Sequence, residues 1–287
     1  MVGAAQGTNM RVLVVGAGGQ VGTELLSCFP DDDVIAARRS DADLTDPVAI
    51  WHLIDISRPD LIVNCAAFTA VDRCEAESNL AMTINATAVG VLADAASDVG
   101  AHLVTLSTDY VFDGTKDGPY LESDAPNPQS TYGRSKLAGE FLAGASATVV
   151  RTSWVCSNTP PNMLLTVLRL LEGEEPLRFV DDQFGSPTFA ADLARTVADL
   201  GGRRHAGIVH VTNQGSVSWF EFAREIARLA GHDPSQVEAI KTSDLDPPRA
   251  APRPMNSVLA SEVLQHVDIT PMRHYRDPLH ELLASMT

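Results

Sequence analysis

Apolar and polar positions follow two rhythms along this chain. Arg11-Val-Leu-Val-Val15 is a continuous apolar run, as in a strand buried on both faces. The glycine-rich stretch GAGGQVG at 16–22 follows at once, and residues 23–29 read as helix. The alternation then recurs. Asp33-Val-Ile-Ala-Ala37 is a second strand, and Asp46 before Pro47 reads as an N-cap with proline at the first helical position, opening a helix that runs to Ser57. Leu61-Ile-Val-Asn64 is a third strand, 80–99 a long Ala-rich helix, 102–107 a fourth strand and 148–151 a fifth. A Pro-rich loop at 118–129 leads to a helix at 135–142 built mostly of good helix formers around one glycine.

Strands and helices in strict alternation predict an α/β protein with a Rossmann-type doubly wound parallel sheet over residues 10–155. After Trp154 the rhythm loosens: helix at 162–172, a polar turn at 181–188, helix at 189–200, a short strand at 208–211, an amphipathic helix at 219–230, a Pro- and Arg-rich loop at 247–254 and a last helix at 278–286. Residues 156–287 read as a smaller lobe that returns in part to the first domain.

Composition narrows function more than fold. The 287 residues are 45% hydrophobic, with mean hydropathy near zero, as in an ordinary globule with a sizeable core. A net charge of −16 argues against nucleic acid or an anionic membrane as partner, since both require basic patches. Acidity does not exclude an anionic ligand held by a few local arginines. Cys28, Cys65, Cys74 and Cys156 show no CxxC spacing and read as reduced thiols of a cytoplasmic protein rather than a zinc site. No apolar run reaches membrane-spanning length. Met1 to Asn9 has neither basic nor apolar signal character and reads as a frayed tail.

Chemistry enters at three places. In GAGGQVG, Gly16, Gly19 and Gly22 stand between strand and helix, where glycine lets backbone approach a pyrophosphate and a helix start offers free N–H groups; an ordinary strand-to-helix turn is the bland alternative. Arg38 and Arg39 end the second strand, where arginine accommodates a 2′-phosphate and an acid would bind a free ribose; this leans towards NADPH, with NADH possible, although two exposed arginines are as often plain surface. Tyr132 and Lys136, four residues apart, share one helix face. An ammonium there is expected to lower the phenol's pKa and make it a proton donor near neutrality. YxxxK alone also fits a surface helix with an incidental Tyr and Lys. Asn85 inside the long helix suggests a hydrogen bond to backbone or water near the site.

Together GAGGQVG at Gly16, NCAAFTAVDRCE at Asn64, LSTDYVFDG at Leu106, YGRSKLAGE at Tyr132, RTSWV at Arg151, DDQFGSPT at Asp181 and RPMNSVL at Arg253 resemble the dTDP-4-dehydrorhamnose reductase family of the extended short-chain dehydrogenase/reductases. The resemblance implies a cytoplasmic NAD(P)H-dependent reduction of the 4-keto group of a dTDP-deoxyhexose, with a C-terminal substrate-binding lobe. It implies Tyr132 as proton donor, Lys136 at the nicotinamide ribose and Thr108 on the sugar carbonyl. Gly16, Gly19, Gln20, Val21 and Gly22 would lie along the pyrophosphate, Asp43 and Leu44 at the adenine, and Ala66, Ala67, Phe68, Thr69 and Leu106 near the rest of the cofactor. Thr69, Val71, Asp109, Tyr110 and Trp154 would border the sugar nucleotide; Val71 reads equally as core and Trp154 as packing. Some relatives use magnesium at a dimer contact; the residues here show neither that metal nor whether the chain is monomer or homodimer. Three rivals share the fold. A 4,6-dehydratase wants an acidic pair after the strand's Ser/Thr, but Tyr110 follows Asp109. A 4-epimerase and a non-catalytic regulatory subunit, like that of methionine adenosyltransferase, stay open.

Overall fold

The computed structural model describes residues 9–173 and 175–286; residues 1–8, read above as a frayed tail, lie outside the described residues. Four β/α steps and a fifth strand open the chain. Strand β1 (Arg11–Val15) leads to helix α1 (Gln20–Leu25), and β2 (Asp33–Ala37) to α2 (Pro47–Ser57). The Asp46 side chain caps α2 by accepting from the Val48 amide at 2.9 Å, with Pro47 at the first turn, as expected. Strand β3 (Leu61–Asn64) is followed by three joined helical pieces, α3 (Val71–Ala76), α4 (Ser78–Met82) and α5 (Ala88–Val99), with a π-helical turn at Thr83–Thr87 between the last two. Then come β4 (His102–Thr108), α6 (Thr131–Ala143) and β5 (Thr148–Thr152).

The second half supplies β6 (Val155–Cys156), α7 (Met163–Leu171), β7 (Leu177–Val180), β8 (Phe184–Gly185), β9 (Thr188–Phe189), α8 (Ala190–Gly202) and β10 (Gly207–His210). After these follow β11 (Val217–Ser218), α9 (Trp219–Leu229), β12 (Val237–Ile240), α10 (Val263–His266) and α11 (Arg276–Ala284).

The main sheet runs β10-β5-β4-β3-β1-β2, and every pairing in it is parallel. Order reverses at β1, so the chain winds outward in both directions, which is the doubly wound topology. One face packs against α1, α8 and α10 through residues such as Leu25, Leu193, Val197 and Leu264; the other packs against α2, α5 and α6 through Ile54, Val89, Leu92 and Ala143. A third core gathers α7, α9 and α11 around Leu164, Phe222, Ile226 and Leu279.

The structure departs from the sequence reading in several places. Helix α1 starts at Gln20, not residue 23, because the turn is closed by Gly19 and the later residues of the glycine motif are already helical. Helix α6 starts at Thr131, four residues earlier than read, because the Ser130 hydroxyl accepts from the Gly133 amide at 3.1 Å. The polar turn at 181–188 holds two short strands, and β7 pairs in parallel with the distant β12. Ser78–Val99 forms 22 helical residues, an 18-residue window of which has mean hydropathy 1.3, long and apolar enough by composition to cross a membrane. Leu80, Ile84, Val89, Val91 and Leu92 contribute most of that score; 44% of that window is buried, packed on α2, α6 and the sheet.

Candidate active site

A cleft of about 490 Å³ opens at the carboxyl ends of the parallel strands, where open α/β sheets take ligands. Its floor is the turn after β1. Gly16 has φ +80°, and a Cβ there would stand 2.8 Å from the Ala66 amide nitrogen. A Cβ on Gly22 would stand 2.2 Å from the Gly16 carbonyl oxygen, which closes the turn. Gly19 differs: its Cβ would meet only that oxygen, at 3.3 Å, and it faces the cleft with Gly16, Gln20 and Val21. Gly22 lies beneath rather than in the wall. With six residues, α1 adds little dipole, so the bare backbone of the turn is what fits a pyrophosphate. Gln20 also reaches across the cleft end: its Nε2 donates to the Pro161 carbonyl at 3.2 Å, and its Oε1 accepts from the Ser157 hydroxyl at 2.9 Å and from Asn162 Nδ2 at 3.1 Å.

One end of the cleft lies beyond β2, where Arg38, Arg39, Asp43 and Leu44 form the wall. Arg39 pairs with Asp43 at 3.1 Å. The Thr45 amide and hydroxyl, then Arg39, hold the Asp43 carboxyl below its ordinary range. Beyond β3, Ala66, Ala67, Phe68 and Thr69 line the middle. Asn85, in the π-helical turn, holds this segment from behind. Its Oδ1 accepts from the Phe68 amide at 2.7 Å, and its Nδ2 donates to the Phe68 carbonyl and the Ser135 hydroxyl, each at 3.0 Å. This is the backbone role expected of an asparagine inside a helix.

At the other end Leu106, Ser107, Tyr132, Lys136, Thr152 and Val155 close the cleft. Tyr132 and Lys136 share the buried face of α6 and are 8% and 4% exposed. Lys136 Nζ donates to the Leu106 carbonyl at 2.7 Å. Burial brings its pKa down to about 8, against Glu140 and Cys65, which favour the charge. Spacing alone predicted a lowered phenol at Tyr132. The structure corrects this: burial pushes the phenol up, the Thr108 hydroxyl draws it down, and the Asp109 charge adds to the rise. The lysine amine is committed to the Leu106 carbonyl, and desolvation dominates at the phenol. The phenol therefore keeps its proton through neutrality and remains a donor.

Thr108, Asp109, Tyr110 and Val71 gather beside Tyr132 and outside the cleft wall proper. Thr108 Oγ1 donates to Asp109 Oδ1 at 2.9 Å and accepts from the Tyr110 amide at 3.3 Å. Asp109 is 2% exposed, and burial pushes its carboxyl up to about 6. The rings of Tyr110 and Tyr132 meet edge to face with centroids 5.5 Å apart, and Val71, Phe68 and Cys74 complete that apolar cluster. Trp154 goes elsewhere. Its φ is +47°, and its ring stacks on Trp219 with centroids 3.4 Å apart, pressed against Gly185 of β8. Behind Lys136 the buried Glu140 accepts from Arg151 at 2.9 and 2.7 Å and from the Ser107 hydroxyl. Among the described residues, no group of three or more His, Cys, Asp or Glu is placed to hold a metal.

Several lining residues were not singled out in the sequence: Ile84, Ser107, Thr152, Val155, Pro160 and Pro161. They come from strand ends, a loop and the π-helical turn, which fold, not pattern, brings together.

The model of the RmlD substrate binding domain matches residues 10–287. The chain is 40% identical to a dTDP-4-dehydrorhamnose reductase of Mycobacterium tuberculosis over 292 residues, covering 97% of this chain and 94% of that one. It is 39% identical to the spore coat polysaccharide biosynthesis protein SpsK of Bacillus subtilis over 278 residues, covering 95% and 96%. Among solved structures, the dTDP-4-dehydrorhamnose reductase of Bacillus anthracis in complex with NADP superposes with a TM-score of 0.92 at 34% identity, covering 97% of this chain and all of that one. The ortholog from Clostridium acetobutylicum gives 0.93 at 38%, covering 96% and 99%.

Proposed function

This chain belongs to the RmlD substrate binding domain family, and from that premise we propose that it reduces the 4-keto group of dTDP-4-dehydro-L-rhamnose with NADPH to give dTDP-L-rhamnose. One observation carries the reading. A single cleft holds the glycine turn and the Arg38–Arg39 pair at one side and the buried Tyr132–Lys136 pair at the other. A dinucleotide laid along it has its phosphates on bare backbone and its far end beside a protonated phenol.

The nicotinamide, when bound, supplies the hydride. The chain supplies the remainder. Tyr132 gives its phenolic proton to the C4 oxygen as negative charge builds there, and Thr108 hydrogen-bonds that oxygen. Lys136 holds the nicotinamide ribose and stabilises the phenolate left on Tyr132. Arg38 and Arg39 take the 2′-phosphate. Residues 10–155 form the dinucleotide-binding part, and residues 156–287 build the sugar-nucleotide side and return in part to the first through β10 and α8, with Trp154 at the junction. Asp109, Tyr110, Val71 and Thr69 border the sugar.

A second sugar deserves a direct comparison, because a 36% identical relative from Streptomyces niveus is a dTDP-4-keto-6-deoxy-D-glucose reductase. NADPH oxidation is followed with dTDP-4-dehydro-L-rhamnose, dTDP-4-keto-6-deoxy-D-glucose and a GDP-4-keto-sugar. The expected order has the first fastest in kcat/KM and the GDP-sugar slowest. A higher value for either of the other two reassigns the substrate. No oxidation with any of them removes the reductase reading and leaves a binding subunit.

A further inference from the structure

Among the described residues, two buried side-chain oxygens have no hydrogen-bond partner: Asp109 Oδ2 and Thr152 Oγ1. An unpaired buried hydroxyl is costly, and native structures rarely leave one without a purpose. Only Thr152 belongs to the wall of the cleft. Its neighbours are already satisfied within the protein. Ser107 donates to Glu140, and Ser153 donates to the Ser186 carbonyl at 2.9 Å. The unpaired, buried hydroxyl is therefore particular to Thr152, which is 6% exposed.

Its place in the sheet indicates what it meets. Thr152 is the last residue of β5, opposite Thr108 of β4. Arg38 and Arg39 follow β2, four strands away across β4, β3 and β1. Four inter-strand steps span roughly 19 Å, on the order of an extended dinucleotide. With the 2′-phosphate at β2 and the pyrophosphate on the turn after β1, the nicotinamide end falls between Lys136 and Thr152. Lys136 is assigned to the ribose. The remaining hydrogen-bonding group at that end is the ring carboxamide, which offers both a carbonyl acceptor and amide donors.

We propose that the Thr152 hydroxyl binds the nicotinamide carboxamide and fixes the orientation of the ring. This rests on the reading that the cleft takes NADP(H). The test compares full-length wild type, Thr152→Val and Thr152→Ser by fluorescence titration with NADPH and with 2′,5′-ADP, which lacks the nicotinamide half. Valine keeps the shape and removes the hydroxyl. Its NADPH dissociation constant should rise roughly three- to tenfold, the factor of one neutral hydrogen bond. Its affinity for 2′,5′-ADP should stay unchanged, and serine should restore NADPH binding. Unchanged NADPH affinity in Thr152→Val overturns the inference. So does equal weakening of both nucleotides, which marks a packing defect, or a change confined to KM for the sugar nucleotide, which marks a substrate contact. A wild type that binds neither nucleotide removes the cofactor reading itself, and this inference with it.

Discussion

Asp109 is buried, with one carboxylate oxygen held by Thr108 and the other unpaired. Its pKa rises from 3.8 to about 6 on folding, so the native state holds this proton more tightly than the unfolded chain does. Stability therefore falls as pH rises through that window and bears the full cost, about 3 kcal/mol, above about pH 6. Asp109→Asn should raise the unfolding free energy at pH 8 by up to about 3 kcal/mol and by little near pH 4, as read from urea titrations at both. A gap independent of pH would contradict the burial argument. Tyr132→Phe keeps the ring against Tyr110 but removes the proton; kcat should fall by roughly 10² to 10⁴ with NADPH affinity little changed. Near-wild-type turnover, with a deuteride isotope effect showing that chemistry limits the rate, would move the acid to Asp109. At this scale the sequence was legible where spacing carries the information, as for Tyr132 and Lys136. It was illegible for the direction of the phenol's shift and for Thr152, because desolvation and an unpaired hydroxyl depend on what distant segments place nearby.

Strand-to-helix turns are the element on which the site depends, and the three motif glycines should not be equivalent. Gly22→Ala puts a methyl 2.2 Å from the Gly16 carbonyl, where backbone has to yield; the unfolding temperature should drop and cofactor binding with it. Gly19→Val meets little of the protein but fills space on the cleft side. It should unfold like wild type and fail to bind NADPH, as thermal melts beside fluorescence titration would show. Equal melting losses in both variants would refute the distinction. At the end of β2, Arg38→Ala with Arg39→Ala should erode a preference for NADPH over NADH, measured as the ratio of kcat/KM values. An unchanged ratio would return both arginines to the surface. Elements were legible wherever apolar runs are long, which covers β1 to β5. Their ends were less so: Gly19 and Ser130 set helix starts through local caps, and β7 and β12, four residues each, pair across nearly sixty intervening residues that no local period records.

Over the whole molecule the sheet is completed from both halves of the chain. β10 pairs with β5, and α8 from the same stretch covers one face of the sheet through Leu193, Ala194, Val197 and Leu200. The strand at 208–211 was legible as a strand, but its place at the sheet edge was not, since parallel pairing leaves no mark in local alternation. A fragment of residues 10–155 should therefore be recovered as aggregate rather than monomer in size-exclusion chromatography, with the β5 edge and that apolar face both bare. A monomeric, cooperatively unfolding fragment would show that the first half is self-sufficient.

The return of β10 also bears on synthesis. The ribosome finishes β5 at Thr152 and reaches β10 only at Gly207. At ordinary elongation rates the β5 edge, rich in β-branched residues, waits roughly 3–10 s for its partner. Codon choice between those two points sets the length of that wait, so synonymous changes there can alter the yield of folded protein without altering a single side chain.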